Sequence, residues 1–187
     1  TFYMYYNYVV DFTNNTIDNL QCYSSGYYTY PVYVNYGSDY KFTGNTIQNC
    51  NFGAAGYGYT YMFYLYYIYN TYRTANIVED NVVQNNYVTY YLYAYYIMYY
   101  YNYNINRKKV LNNKTASNMG YFYGFYLVYL YNVQFNSNLL AGNQGYYGDM
   151  IIYTYSYNSG CTSEWRQNTV YGKAAYSGTY TYGMLIQ

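Results

Sequence analysis

Phe12-Thr13-Asn14-Asn15-Thr16-Ile17-Asp18-Asn19 returns 30 residues later as Phe42-Thr43-Gly44-Asn45-Thr46-Ile47-Gln48-Asn49. A looser copy runs Val78-Glu79-Asp80-Asn81-Val82-Val83-Gln84-Asn85. The frame recurs from Val110 to Thr115 about Asn113, from Phe135 to Leu140 about Asn138, and from Trp165 to Val170 about Asn168. The rule is a large apolar residue, two variable residues, Asn, one residue, then an apolar or β-branched residue. The six Asn are spaced by 30, 36, 32, 25 and 30 residues. Self-similarity at such a period marks a repeat architecture.

The apolar residues at −3 and +2 straddle the Asn, so one of them breaks strict alternation. That pattern predicts a short strand, a bend near the Asn and a second short strand. In stacked coils equivalent residues lie about 4.8 Å apart along the axis. Asn above Asn can then pass an amide hydrogen bond from coil to coil, and Asn tolerates the left-handed conformation of a tight corner. A helical solenoid would need apolar residues at i, i+3, i+4 and i+7 and good helix formers. Here β-branched and aromatic residues dominate, as strands require. The expected fold is all-β: a single right-handed parallel β-helix over residues 1–187, of about six coils and without evident caps. The handedness follows the general crossover preference of parallel strands.

The 187 residues suffice for one domain with a sizeable core. Tyr supplies 43 of them, whereas Asp, Glu, Lys and Arg together supply 15, and there is no His. The net charge of +1 lacks the basic footprint of a nucleic-acid binder. No apolar run reaches 18 residues, so a transmembrane helix is not expected. The chain begins at Thr1 without an initiator Met or a signal peptide, which reads as a mature form or a fragment.

The phrase Gly44-Asn45-Thr46-Ile47-Gln48-Asn49 resembles the coil signature of right-handed parallel β-helix proteins of the pectate-lyase-like superfold. The F-x-x-N form at Phe12–Asn15, Phe42–Asn45 and Phe135–Asn138 is similar to the repeat of chlamydial polymorphic outer-membrane proteins. Those pair it with an upstream G-G-A-[ILV] strand, which Gly148 to Tyr153 and Gly183 to Ile186 match faintly. The resemblance implies a surface or secreted solenoid and implies no activity.

Without His, Ser-His-Asp and Cys-His catalysis cannot operate within the chain. Glu79 and Asp80 are strand neighbours, which point to opposite faces and are poorly placed to act together as paired catalytic carboxylates. The Asp cluster and Arg or Lys base of the pectate-lyase-like enzymes have no counterpart, because Asp39, Asp80, Asp149, Arg73 and Lys41 share no phase. An enzyme is not expected, nor is a cofactor or a metal site. Cys22 and Cys50 follow their Asn by seven and five residues, near-equivalent places in consecutive coils. They form either a disulfide, at a spacing of about 5–6 Å, or two unpaired thiols. Of the two N-x-[ST] sequons, Asn14 is the better N-glycan acceptor and Asn113 sits at the ladder phase.

The sequence therefore predicts one inward column of Asn15, Asn45, Asn81, Asn113, Asn138 and Asn168. It places Phe12, Phe42, Val78, Val110, Phe135 and Trp165 in the core, with Ile17, Ile47, Val83, Leu140 and Val170. The expected role is structural: a subunit of an extracellular or cell-surface filament, whose partner is itself, head to tail. Thr1, Phe2 and Tyr3 would meet Met184, Leu185 and Ile186 of the next subunit. Six strand spacings give an axial repeat on the order of 29 Å. The alternative is a carbohydrate-binding or adhesive solenoid that holds glycans on Tyr faces. No nucleic acid and no membrane insertion are expected.

Overall fold

The structure is a computed structural model and describes residues 1–22, 27–53, 58–69, 76–107, 109–111, 113–115, 120–145, 152–155, 164–171 and 185–186. Its strands come in the same order on each turn. The first turn holds β1 (Phe2–Tyr8), β2 (Asp11–Thr13) and β3 (Thr16–Asp18). The next holds β4 (Tyr28–Thr29), β5 (Val32–Ser38), β6 (Lys41–Thr43), β7 (Thr46–Gln48) and β8 (Asn51–Phe52). Then come β9 (Tyr59–Tyr69), β10 (Asn76–Glu79), β11 (Val82–Gln84) and β12 (Tyr87–Val88). They are followed by β13 (Tyr91–Asn106), β14 (Lys109–Leu111), β15 (Lys114–Thr115), β16 (Tyr121–Asn136) and β17 (Leu139–Ala141). The last are β18 (Ile152–Tyr155), β19 (Glu164–Arg166), β20 (Thr169–Tyr171) and β21 (Leu185–Ile186).

Every ladder is parallel, and the strands stack into three sheets that make a β-solenoid. The largest sheet carries the long Tyr-rich strands; the second runs β20-β17-β14-β11-β7-β3, and the third β15-β12-β8. All faces are described for about four turns, from β4 to β17, fewer than the six coils expected. Partial turns at the two ends carry the second sheet to six strands.

The coil is built on a five-residue module of three strand residues, a left-handed corner and an inward residue. The corners Val9, Asn14 and Asn19 have φ of +52°, +56° and +53°. Asp39, Gly44 and Asn49 repeat them one coil on, at +58°, +69° and +54°. Gly44 is needed twice over, for its φ and because a Cβ there would collide with Asn14 Oδ1. The long strands β9, β13 and β16 bend at fixed places: Tyr67, Tyr99 and Tyr129 are left-handed in mid-strand.

The core is one apolar column system. Phe12, Phe42, Val78 and Phe135 are buried, as are Ile47, Val83, Val110 and Leu140. Ile17, Trp165 and Val170, on the end rungs, are half-buried against them. Val110 is in the core in a different column from that expected, since it pairs with Val83 and Leu140. The partner of Phe135 on that turn is Ile105. Strand also runs through Gly-containing stretches: β8 lies just before Gly53, and β16 carries Gly124 near its start. Gly124 serves packing there: Leu140 Cδ2 fills the space its Cβ would take.

Candidate assembly surface: amide columns and tyrosine face

The inward Asn form two columns where the sequence predicted one. In the first, Asn15 Nδ2 donates to Asn45 Oδ1 (3.0 Å), and Asn45 Nδ2 donates to Asn81 Oδ1 (2.9 Å). Asn138 donates to Asn168 in the same way, at 3.0 Å. In the second, Asn86 donates to Asn113 and Asn113 to Asn143, each at 2.9 Å. Asn113 thus belongs with Asn86 and Asn143, and the first-column seat on its turn falls at Lys108, outside the described residues. The frame slipped by one module because both modules of each coil read apolar-x-x-Asn, as in Val110-Leu111-Asn112-Asn113 and Leu140-Ala141-Gly142-Asn143.

Each interior amide is fully used. Asn45 Oδ1 accepts from both the main-chain N and the Nδ2 of Asn15, and its Nδ2 also donates to Phe12 O. Asn81, Asn86, Asn113, Asn143 and Asn168 make the corresponding bond to a main-chain carbonyl one coil back. Buried amides need such pairing, because an unmet one costs about 1–3 kcal/mol. A third inward seat appears at Asn76, whose Oδ1 accepts from Tyr40 N (2.9 Å).

Outside, the corner side chains run the opposite way. Gln84 donates to Gln48, and Gln48 to Asp18 Oδ2; Asn85 donates to Asn49, and Asn49 to Asp18 Oδ1. Those two amide donors hold the Asp18 carboxyl below its ordinary value. Glu79 and Asp80 both reach Arg107, so their carboxylates do not point to opposite faces as expected. Asp80 is left-handed (φ +55°), which turns its carboxylate to the guanidinium that Glu79 also holds. Arg107 lies 2.7 Å from Asp80 and 2.8 Å from Glu79. Arg107 and Asp80 are exposed and Glu79 is half-buried, so the cluster orients the corner and its exposed Arg107–Asp80 pair contributes little stability.

Cys22 and Cys50 are both free. Their phases differ: Gln21 bridges to Asn51, which sets Cys22 against Phe52, whereas Cys50 stands in the second amide column below Asn86. Burial pushes the Cys50 thiol up, and its Sγ lies 3.0 Å from Gln48 O. Asn14 is an exposed corner residue, whereas Asn113 is buried. Among the other residues singled out by sequence, Arg73, Asp149 and Met184 lie outside the described residues. Leu185 and Ile186 pair with Tyr153 and Thr154.

The Tyr residues of the large sheet stack in columns along the axis. Tyr3, Tyr33, Tyr64, Tyr96 and Tyr126 succeed one another at 4.7, 5.0, 5.1 and 5.1 Å between ring centres. Tyr30, Tyr61, Tyr93 and Tyr123 do so at 5.3, 4.7 and 4.5 Å. Tyr28, Tyr59, Tyr91 and Tyr121 make a third column at 5.5, 4.4 and 4.5 Å. The fourth, Tyr6, Tyr36, Tyr67, Tyr99 and Tyr129, is left-handed throughout, with φ from +50° to +63°. Burial pushes the Tyr30, Tyr66 and Tyr123 phenols up to about 12. On the first rung Phe2, Tyr3, Tyr5, Tyr6 and Tyr8 are exposed, and β5 is the strand that pairs with β1 among the described residues.

No helix among the described residues is long and apolar enough to cross a membrane. No family model, curated protein or solved structure matches this chain.

Proposed function

We propose that this chain is the structural subunit of an extracellular or cell-surface filament, extended by coil stacking on coil. The polarity of the inward amide columns carries this reading. Each Asn donates its N–H and Nδ2 to the Oδ1 of the next coil. Asn15 Oδ1, on the first rung, accepts from no described residue. A rung laid on β1 with an Asn in phase, as Asn168 is on the last described turn, supplies those two donors. Its Tyr rings would extend the columns that end at Tyr3 and Tyr6. Such a contact is heterologous and does not close, so it generates a fibre.

The glycan-binding alternative is weaker on physical grounds. Rings stacked face to face use their faces on one another and leave mainly hydroxyl edges outward.

Electron microscopy and fibre diffraction of the purified chain test the proposal. Filaments with a meridional reflection near 4.8 Å are expected. Particles that stay monomeric at every concentration would overturn it. So would a mass measurement placing this stretch inside one much longer polypeptide.

A further inference from the structure

One outward column of the large sheet is interrupted. Tyr8 pairs with Ser38, and Ser38 with Tyr69. Tyr101 and Tyr131, paired with each other, continue the line one residue beyond the Tyr100–Ile68 pair. At Tyr8, Ser38 and Tyr69 the column faces outward, because the neighbouring column Asn7–Gly37–Ile68 ends on the buried Ile68. Four of its five positions are Tyr, and the fifth is Ser38. The column two residues away keeps its rings, with Tyr36 standing 5.3 Å from Tyr6 and 5.1 Å from Tyr67.

At the missing ring there is a cavity of about 200 Å³, lined by Tyr6, Tyr8, Tyr36, Gly37, Ser38 and Tyr69. A cavity of about 150 Å³ can hold a benzene ring. Tyr8 and Tyr69 sit two rungs apart, which in a parallel sheet is about 9.6 Å. A flat ring touching both needs two carbon contacts of about 3.5–4.0 Å each. One ring fits and two do not. Ser38 Oγ is buried and has no hydrogen-bond partner, which is destabilising until something meets it. No charged residue lines the space, which favours a neutral occupant. Tyr8 is 69% exposed and makes no ring contact among the described residues.

We propose that this gap is a binding slot for one phenolic ring of a small molecule. The ring enters hydroxyl first, lies between Tyr8 and Tyr69, and places its OH on Ser38 Oγ. The slot offers the ligand what the sheet offers its own tyrosines, an aromatic face on either side.

A fluorine NMR titration of the full chain with 4-fluorophenol tests this. Saturable binding is expected, with fluorobenzene binding more weakly because it lacks the hydroxyl. Ser38→Ala keeps the space and should weaken 4-fluorophenol about 2- to 10-fold, the worth of one net hydrogen bond. Ser38→Tyr restores the missing ring and should weaken it by more than about tenfold. If Ser38→Tyr fails to fold, Tyr8→Ala removes one wall and should weaken binding as well. Absence of saturable binding by the unmodified chain would overturn the proposal. Unchanged affinity in Ser38→Tyr, or in Tyr8→Ala in its place, would also do so.

Discussion

Asn81 shows what one amide does in this fold. It is buried, its Oδ1 takes two donors from Asn45, and its Nδ2 holds Phe42 O. Asn81→Ala strands all three groups and should cost about 1–3 kcal/mol. Asn15 is half-buried on the first rung, and Asn15→Ala should cost less, as urea unfolding of both variants can measure. Equal losses in monomers would count against the column. Cys50 is the informative exception. It occupies an amide seat, and its main-chain N already donates to Asn86 Oδ1. Cys50→Asn supplies the missing Nδ2 donors, so it should raise stability by about 0.5–1.5 kcal/mol in the same assay.

At the scale of the element, the left-handed tyrosines set two terms against each other. A non-Gly residue pays about 1–2 kcal/mol to sit in that region, and an aromatic pair returns about 0.5–1.5 kcal/mol beyond burial. Tyr67, stacked 5.1 Å from Tyr36 and 4.4 Å from Tyr99, carries both terms. Tyr64, stacked between Tyr33 and Tyr96, has no left-handed conformation to relieve. Tyr67→Gly should therefore cost about 1–2 kcal/mol less than Tyr64→Gly. Equal costs in thermal unfolding would show that the corner carries no strain. On β16, Gly124→Val should be strongly destabilising through Leu140, and Leu140→Ala should recover part of the loss.

The whole molecule responds to alkali as an array of phenols. Burial raises Tyr30, Tyr40, Tyr66 and Tyr123 to about 12, against about 10 in an unfolded chain. Between these values the folded state keeps protons that the unfolded state releases, so unfolding gains with rising pH. Stability should hold below about pH 10 and fall from there towards about pH 12. A thermal midpoint followed across that range should drop together with the rise of phenolate absorbance. Phenolate appearing near its free value while the strands stay intact would contradict the burial.

The sequence by itself determined that this chain is a parallel β-solenoid. Apolar-x-x-Asn spaced near 30 residues leaves few other ways to bury Phe12, Phe42 and Phe135 while satisfying the Asn between them. It also marked which residues face inward on most turns, because that alternation is local. The tertiary structure alone decided which Asn share a column. Two identical modules per coil make the phase ambiguous by five residues, and the loops between coils vary in length. Only the ladder of main-chain hydrogen bonds, which fixes one register for all strands, puts Asn113 under Asn143 and leaves Cys50 opposite Leu20. The same register turns an unremarkable Ser38 into the gap in a column of tyrosines. A gap of that kind exists between coils, and no single coil of sequence contains it.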